Sequence, residues 1–272
     1  LTQHKLTFGS LFAGIGGFDL GFERAGFECK WQVEIDDYAT RVLERHWPNA
    51  HRQKDIKQCG RHNLGRVDCI IGGFPCQDIS YAGKRAGIDG ARSGLFFEAI
   101  RVVRELQPRA VVLENVAGLL TRGLDRVLGT LAEVGFDAEW HCIPAASVGA
   151  PHIRDRVFVF AYRKSKSALS EYAKVAELSI GIASNANGSG LAKRKSKDAS
   201  RSRPNARAEL VRSGWWQSEP NVDRVANGIP ARVDRLRCLG NAIVPQVAEV
   251  VARMTLSKLA AREITENQGS YL

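Results

Sequence analysis

Long apolar runs are missing from this sequence. No window of its 272 residues approaches eighteen uninterrupted apolar positions, so no membrane span is expected. The stretch Leu1–Ser10 lacks the charged-then-apolar layout of a secretory signal. Cysteine is sparse and scattered. Cys29, Cys59, Cys69, Cys76, Cys142 and Cys238 include no C-x-x-C pair and no Cys/His cluster at zinc-ligand spacing. That pattern argues against a metal site and a disulfide framework, and points to a reducing, cytoplasmic compartment. There is no internal repeat. Acidic residues are in deficit, 29 Asp+Glu against 39 Lys+Arg, for a formal net charge of +10. Against these absences stand 44% hydrophobic residues and 26 glycines. These suffice for a sizeable core, and the length suits one large domain with room for a small appended one.

The charge excess is local. Residues 1–160 balance to about +1, residues 161–214 carry about +8 and residues 215–272 about +1. A basic block of this kind favours a polyanionic partner, nucleic acid above all, with a solvated linker as the alternative.

Along the first half, short apolar runs alternate with amphipathic stretches. Candidate strands are Thr7–Phe12, Trp31–Glu34, Val67–Gly73, Ala110–Asn115 and Arg156–Ala161. Between them Leu95, Phe96, Ala99, Ile100 and Val103 form one helical face, and Leu124, Val127, Leu128 and Leu131 another. Strands without strict polar alternation, separated by helices, predict a doubly wound α/β domain with a mostly parallel sheet covered on both faces. After Tyr162 the chain turns polar and basic, with runs at Arg163–Lys166 and Lys193–Lys197 and a loop-like Ser184–Gly190. Order is expected again from Trp215, ending in a helix over 246–262 with Pro245 near its first turn.

In an open parallel sheet, ligands bind beyond the carboxyl ends of the strands, and the unusual residues fall there. The first strand runs into Phe12-Ala-Gly14-Ile-Gly16-Gly17-Phe18, a glycine turn that lets backbone N–H groups approach a ligand. Its third dinucleotide-fingerprint glycine is replaced by Asp19. The second strand ends at Glu34, an acid placed to bind ribose hydroxyls. Together these favour a nucleoside-bearing cofactor over a phosphate-rich one. The third strand ends in Gly72-Gly73-Phe74-Pro75-Cys76-Gln77. Most cysteines are inert small hydrophobes, which suits Cys29 or Cys69. Cys76 follows Gly-Gly and Pro at the functional edge, where a thiolate is an accessible nucleophile. The fourth strand ends in Glu114-Asn115-Val116, and the fifth begins Arg154-Asp155-Arg156, whose two arginines share a face by strand alternation.

The run Phe12–Phe18, the Phe74-Pro75-Cys76-Gln77 loop, Glu114-Asn115-Val116, Arg154-x-Arg156 and Gly240-Asn241 resemble the ordered motifs of DNA (cytosine-5)-methyltransferases. The resemblance covers residues 6–162 and about 232–262. It implies a Rossmann-like fold that binds S-adenosylmethionine and methylates cytosine in double-stranded DNA. Phe12, Gly14 and Gly16 would lie beside the cofactor, Glu34 on its ribose, Ile35 against the adenine and Asp55 on the adenine amine. Pro75, Leu95, Asn241 and Ala242 would close the methionine end.

Cytosine carbon 5 is a poor nucleophile, which explains the catalytic set. Attack of the Cys76 thiolate on carbon 6 makes carbon 5 nucleophilic. Glu114 would protonate or hydrogen-bond ring N3, Arg156 would contact O2, and Arg154 would support the catalytic loop and base pocket. Such attack requires base flipping. The loop Gln77–Gly94 is glycine-rich enough to close over the base, with Lys84, Arg85 and Arg92 as phosphate contacts.

The resemblance further implies a discontinuous catalytic domain, residues 1–162 plus 240–272, with residues 163–239 inserted as a short basic target-recognition region. Gln77 and the run Lys193, Arg194, Lys195 and Lys197 are expected on DNA; basic runs without interleaved aromatics suit phosphate holding better than base reading. Trp215 and Trp216 fit a small subdomain core as well as base contact. No metal is expected, and a monomer is the default. RNA cytosine-5 methylation and a non-catalytic nucleic-acid-binding relative remain as alternatives; a nicotinamide-dependent dehydrogenase is disfavoured by the missing glycine. A restriction-modification companion, a phage protection enzyme and an orphan are equally open.

Overall fold

A computed structural model describes residues 5–75, 94–164 and 231–269. The strands are β1 (Thr7–Leu11), β2 (Glu28–Val33), β3 (His51–Gln53), β4 (Cys69–Gly73), β5 (Ala110–Val116), β6 (Phe136–Pro144) and β7 (Asp155–Arg163). The α-helices are α1 (Gly17–Arg24), α2 (Asp37–His46), α3 (Leu95–Leu106), α4 (Leu124–Glu133), α5 (Arg232–Asn241) and α6 (Pro245–Gly269).

The strands form one sheet in the order β3-β2-β1-β4-β5-β7-β6. The first five pair in parallel, whereas β7 runs antiparallel to both β5 and β6. The expected doubly wound, mostly parallel α/β sheet is present. Five strands match the apolar runs of the sequence, with boundaries shifted by up to three residues. β3 and β6 are additions at the two edges, where the sequence carries no apolar run.

Alternation along the central strands serves two cores. Val111, Leu113, Val157 and Val159 meet Phe96, Val103, Val127 and Leu131 of α3 and α4 on one face. Val112, Phe158 and Phe160 meet Phe18 and Phe22 of α1 and Val247 and Val251 of α6 on the other. Burial on both faces is why these strands read as continuous apolar segments. The last helix, expected over 246–262, begins at Pro245 and packs on α1, where Ala248 lies against Gly21.

Gly9 in β1 shows how tightly this frame is packed, because a Cβ built there would lie within the buried Trp31 indole of β2. The indole is itself fixed by a 2.8 Å hydrogen bond from its Nε1 to the Gly65 carbonyl. Gly9→Ala is expected to lower the unfolding free energy by about 1–3 kcal/mol. The check is a lower denaturant midpoint at unchanged slope.

Candidate active site

Strand order reverses direction between β1 and β4, and a cavity of about 270 Å³ opens beyond the carboxyl ends of these strands. The turn after β1, the end of β2, the segment after β4, the ends of β5 and β7, and α5 with its following loop all contribute to its wall.

On the side of β1 and β2 the chain leaves β1 at Phe12, in a left-handed conformation (φ 55°). Gly16 (φ 83°) sits against the Trp47 ring where a side chain would have no room, so the turn tightens into α1. Glu34, just past β2, braces the turn. Its Oε2 accepts from Gly14 N–H at 2.7 Å and its Oε1 from Asp36 N–H at 2.8 Å. Asp36 caps α2 through Ala39 N–H at 2.9 Å and pairs with Arg237 of α5. A carboxylate accepts about four hydrogen bonds, so Glu34 keeps lone pairs for the cavity.

On the opposite side, Glu114 of β5 stands across from Gly73 of β4, where a Cβ would lie 2.9 Å from its Oε2. Glycine there leaves room for the carboxylate. Arg156 at the start of β7 donates from Nε to Glu114 Oε1 at 2.8 Å. Burial pushes the Glu114 carboxyl up to about 7, against the pull of Arg156 and Arg154. Asn115 donates from Nδ2 to the Phe74 carbonyl at 3.1 Å, fixing the segment that carries Pro75 to the end of β5.

Phe12, Gly14, Glu34, Pro75, Glu114, Arg156, Asn241 and Ala242 are thus brought together around one cavity. Other expected site residues stand elsewhere. Gly16 shapes the turn from behind. Ile35 is 71% exposed beside Glu34. Asp55 caps a short 3₁₀ turn at Ile56–Gln58 and Leu95 packs against the core under α3, neither at the cavity wall. Arg154 precedes β7 with a left-handed backbone (φ 40°), so strand alternation does not apply to it. Its guanidinium donates to the carbonyls of Gly240 and Ala242 at 2.8 and 2.7 Å and so holds the loop after α5. Cys76, Gln77, Lys84, Arg85, Arg92, Lys193, Arg194, Lys195, Lys197, Trp215 and Trp216 lie outside the described residues.

Sequence reasoning missed Ser10, Phe18, Asp36, Arg237 and Cys238 at the cavity wall. Strand-end logic gives a signal for Asp36, two residues beyond Glu34; α5 offers none, because it buries no residue. Burial raises the thiols of Cys29 and Cys69, and pushes that of Cys59 up to about 11, as inert core cysteines require. Cys238 is raised as well, by burial and by Asp36. Among the described residues, no cluster of His, Cys, Asp or Glu is placed to hold a metal ion, and no helix is long and apolar enough to cross a membrane.

Residues 6–206 match the family described as C-5 cytosine-specific DNA methylase. The chain is 33% identical over 185 residues to the type II methyltransferase M.NgoBV of Neisseria gonorrhoeae, covering 62% of this chain and 44% of that one. It is 38% identical over 159 residues to M.FnuDI of Fusobacterium nucleatum (57% and 46%) and 35% identical over 162 residues to M.HhaI of Haemophilus parahaemolyticus (58% and 49%). The matched part spans about half the length of these curated relatives. Among solved structures, a candidate DNA modification methyltransferase encoded within an E. coli prophage superposes with a TM-score of 0.50 at 30% identity, over 58% of this chain and 47% of that one. The Entamoeba histolytica methyltransferase EhMeth shares the fold at 17% identity (TM-score 0.52, 60% and 54%).

Proposed function

As this chain belongs to the C-5 cytosine-specific DNA methylase family, we propose that it transfers a methyl group from S-adenosylmethionine to carbon 5 of cytosine in double-stranded DNA. The observation that carries this reading is the Glu114–Arg156 pair, set across one cavity from the Glu34-braced glycine turn. The reading is supported by an acid of raised pKa that shares its cavity with the glycine turn and with Pro75.

The cavity fits that cofactor. The glycine turn offers close backbone approach, Glu34 offers acceptors for ribose hydroxyls, and the wall residues at the turn include no lysine or arginine to hold phosphates. When bound, the cofactor supplies an electrophilic methyl group on a sulfonium centre. Phe12, Gly14 and Glu34 hold its nucleoside part; Pro75, Asn241 and Ala242 close the other end. Ile35, exposed beside Glu34, is assigned to the adenine, Asp55 to the adenine amine and Leu95 to the methionine end.

Cys76 attacks carbon 6 of a flipped cytosine as the thiolate. Glu114 gives its proton to N3, so that charge does not accumulate on the ring, and Arg156 holds O2. Arg154 acts at one remove, by holding the loop that carries Asn241 and Ala242. Once carbon 5 is methylated, its proton leaves to solvent, the carbon 5–carbon 6 double bond re-forms as the thiolate is expelled, and Glu114 takes the N3 proton back. The reading is of a monomer acting in the cytoplasm of a bacterium or of an infected host.

The catalytic unit comprises residues 1–162 and the C-terminal part, with the basic insert from residue 163 holding phosphates through Lys193, Arg194, Lys195 and Lys197. Since Arg237 and Cys238 line the cavity, the return to the catalytic unit is drawn at the start of α5 rather than at residue 240. The test is transfer of labelled methyl to a mixed-sequence plasmid and to transfer RNA, followed by bisulfite mapping. Methylcytosine in the plasmid is expected, at short or degenerate sites. Labelling of RNA alone would move the substrate to the RNA branch, and no labelling of either would refute the enzyme reading.

A further inference from the structure

We infer that the buried carboxylate of Asp19 sets the preference of the cavity for the positively charged sulfonium cofactor over its uncharged thioether product. The inference rests on the cofactor reading above and assigns a role to a residue which that mechanism does not use.

Asp19 lies in the first turn of α1 and is fully buried. Its Oδ2 accepts from Ser10 Oγ at 3.0 Å and its Oδ1 from Gln32 Nε2 at 2.8 Å. Both partners are uncharged and buried, and among the described residues Glu23 of the same helix bears on it and opposes ionisation. Burial pushes its carboxyl up to about 6, while the hydrogen bonds that both oxygens accept from Gln32 and Ser10 favour the charged form. A buried carboxylate with no counter-charge costs several kcal/mol. Its place in the first turn of α1 offsets part of that cost through the helix dipole and leaves the rest without a return in stability.

Position supplies the reason. Ser10, one hydrogen bond from the carboxylate, lines the cavity, as do Gly17 and Phe18, the two residues before Asp19. The carboxylate therefore stands one hydrogen bond behind the cavity wall, itself out of contact with solvent. In such surroundings the attraction for a cation in the cavity is far larger than in water. It vanishes when the methyl group leaves and the sulfonium becomes a neutral thioether. Asp19 then favours binding of the loaded cofactor and release of the spent one.

The test is calorimetric titration of the full chain, wild type and Asp19→Asn, with S-adenosylmethionine and with S-adenosylhomocysteine. Asparagine keeps the shape and an acceptor for Gln32 but removes the charge. The ratio of product Kd to cofactor Kd is expected to fall about threefold or more in the variant. Equal weakening of both ligands would show a purely structural Asp19 and overturn the inference, as would two unchanged affinities. Should Asp19→Asn fail to fold, Gln32→Lys carries the same test by setting a cation against the carboxylate: a reduced ratio supports the inference and an unchanged one overturns it. Wild-type protein that binds neither molecule would instead refute the cofactor reading itself.

Discussion

Cys76→Ser is expected to reduce methyl transfer about 10³-fold or more while leaving cofactor affinity within about twofold. Carbon 6 must be attacked by an anion, and a serine hydroxyl is not deprotonated near neutral pH as a thiol is. The five described cysteines offer no replacement. Cys29 and Cys69 are buried with raised thiols, Cys59 is buried under α3, and Cys142 lies on the outer strand β6. Cys238 is at the cavity wall, but burial and Asp36 hold its thiol up. A duplex containing 5-fluorocytosine separates chemistry from binding, because fluorine cannot leave as a proton does and the carbon-6 adduct persists. Wild type should form a complex with it that survives denaturation, and the variant should not. Residual transfer within tenfold of wild type would put the nucleophile elsewhere, with Cys238 as the residue to substitute next.

The parts of this site legible in the sequence are those where burial and chemistry coincide. β1, β2, β4, β5 and β7 declare themselves because most of their residues are covered on both faces, and the acids Glu34 and Glu114 stand out where those apolar runs stop. β3 is three polar residues paired with β2, too short for any period to show, whereas β6 alternates Phe136, Ala138, Trp140 and Cys142 with Asp137, Glu139 and His141, a period of two that a search for continuous apolar runs passes over. α5 buries nothing, so its Arg237 and Cys238 reach the cavity without a pattern announcing them. Asp19 fails to register for the opposite reason. A carboxylate beside buried phenylalanines reads as the wet face of an amphipathic helix, and only the contacts from Ser10 and Gln32 show that it points inward. Arg154 illustrates the limit of strand periodicity: one residue before β7 its backbone turns left-handed, and its side chain serves the loop after α5 rather than the face shared with Arg156.

Glu114→Gln should cost about 10²–10⁴ in kcat/KM, the usual worth of a positioned proton donor, and its pH profile should identify the role. The Glu114 carboxyl is raised from its ordinary value to about 7 because burial disfavours the anion. The acid form therefore dominates below pH 7 and is lost as pH rises through it. Protonation of N3 needs that acid form, so the Glu114 contribution to kcat/KM falls on the alkaline side of about 7. The Cys76 thiolate contributes in the opposite sense, gaining as pH rises, and the two together give wild type a bell. Glutamine can still donate a hydrogen bond to N3 but cannot give up a proton, and it does not titrate. The variant should therefore be slow at every pH and lack the falling alkaline limb, keeping only the rise with thiolate formation. Cofactor affinity, measured by titration, should change little, since Glu34 rather than Glu114 braces the glycine turn. If the variant profile still fell above pH 7, the alkaline limb would belong to another group, and the Glu114–Arg156 pair would act by orienting the base rather than by moving a proton.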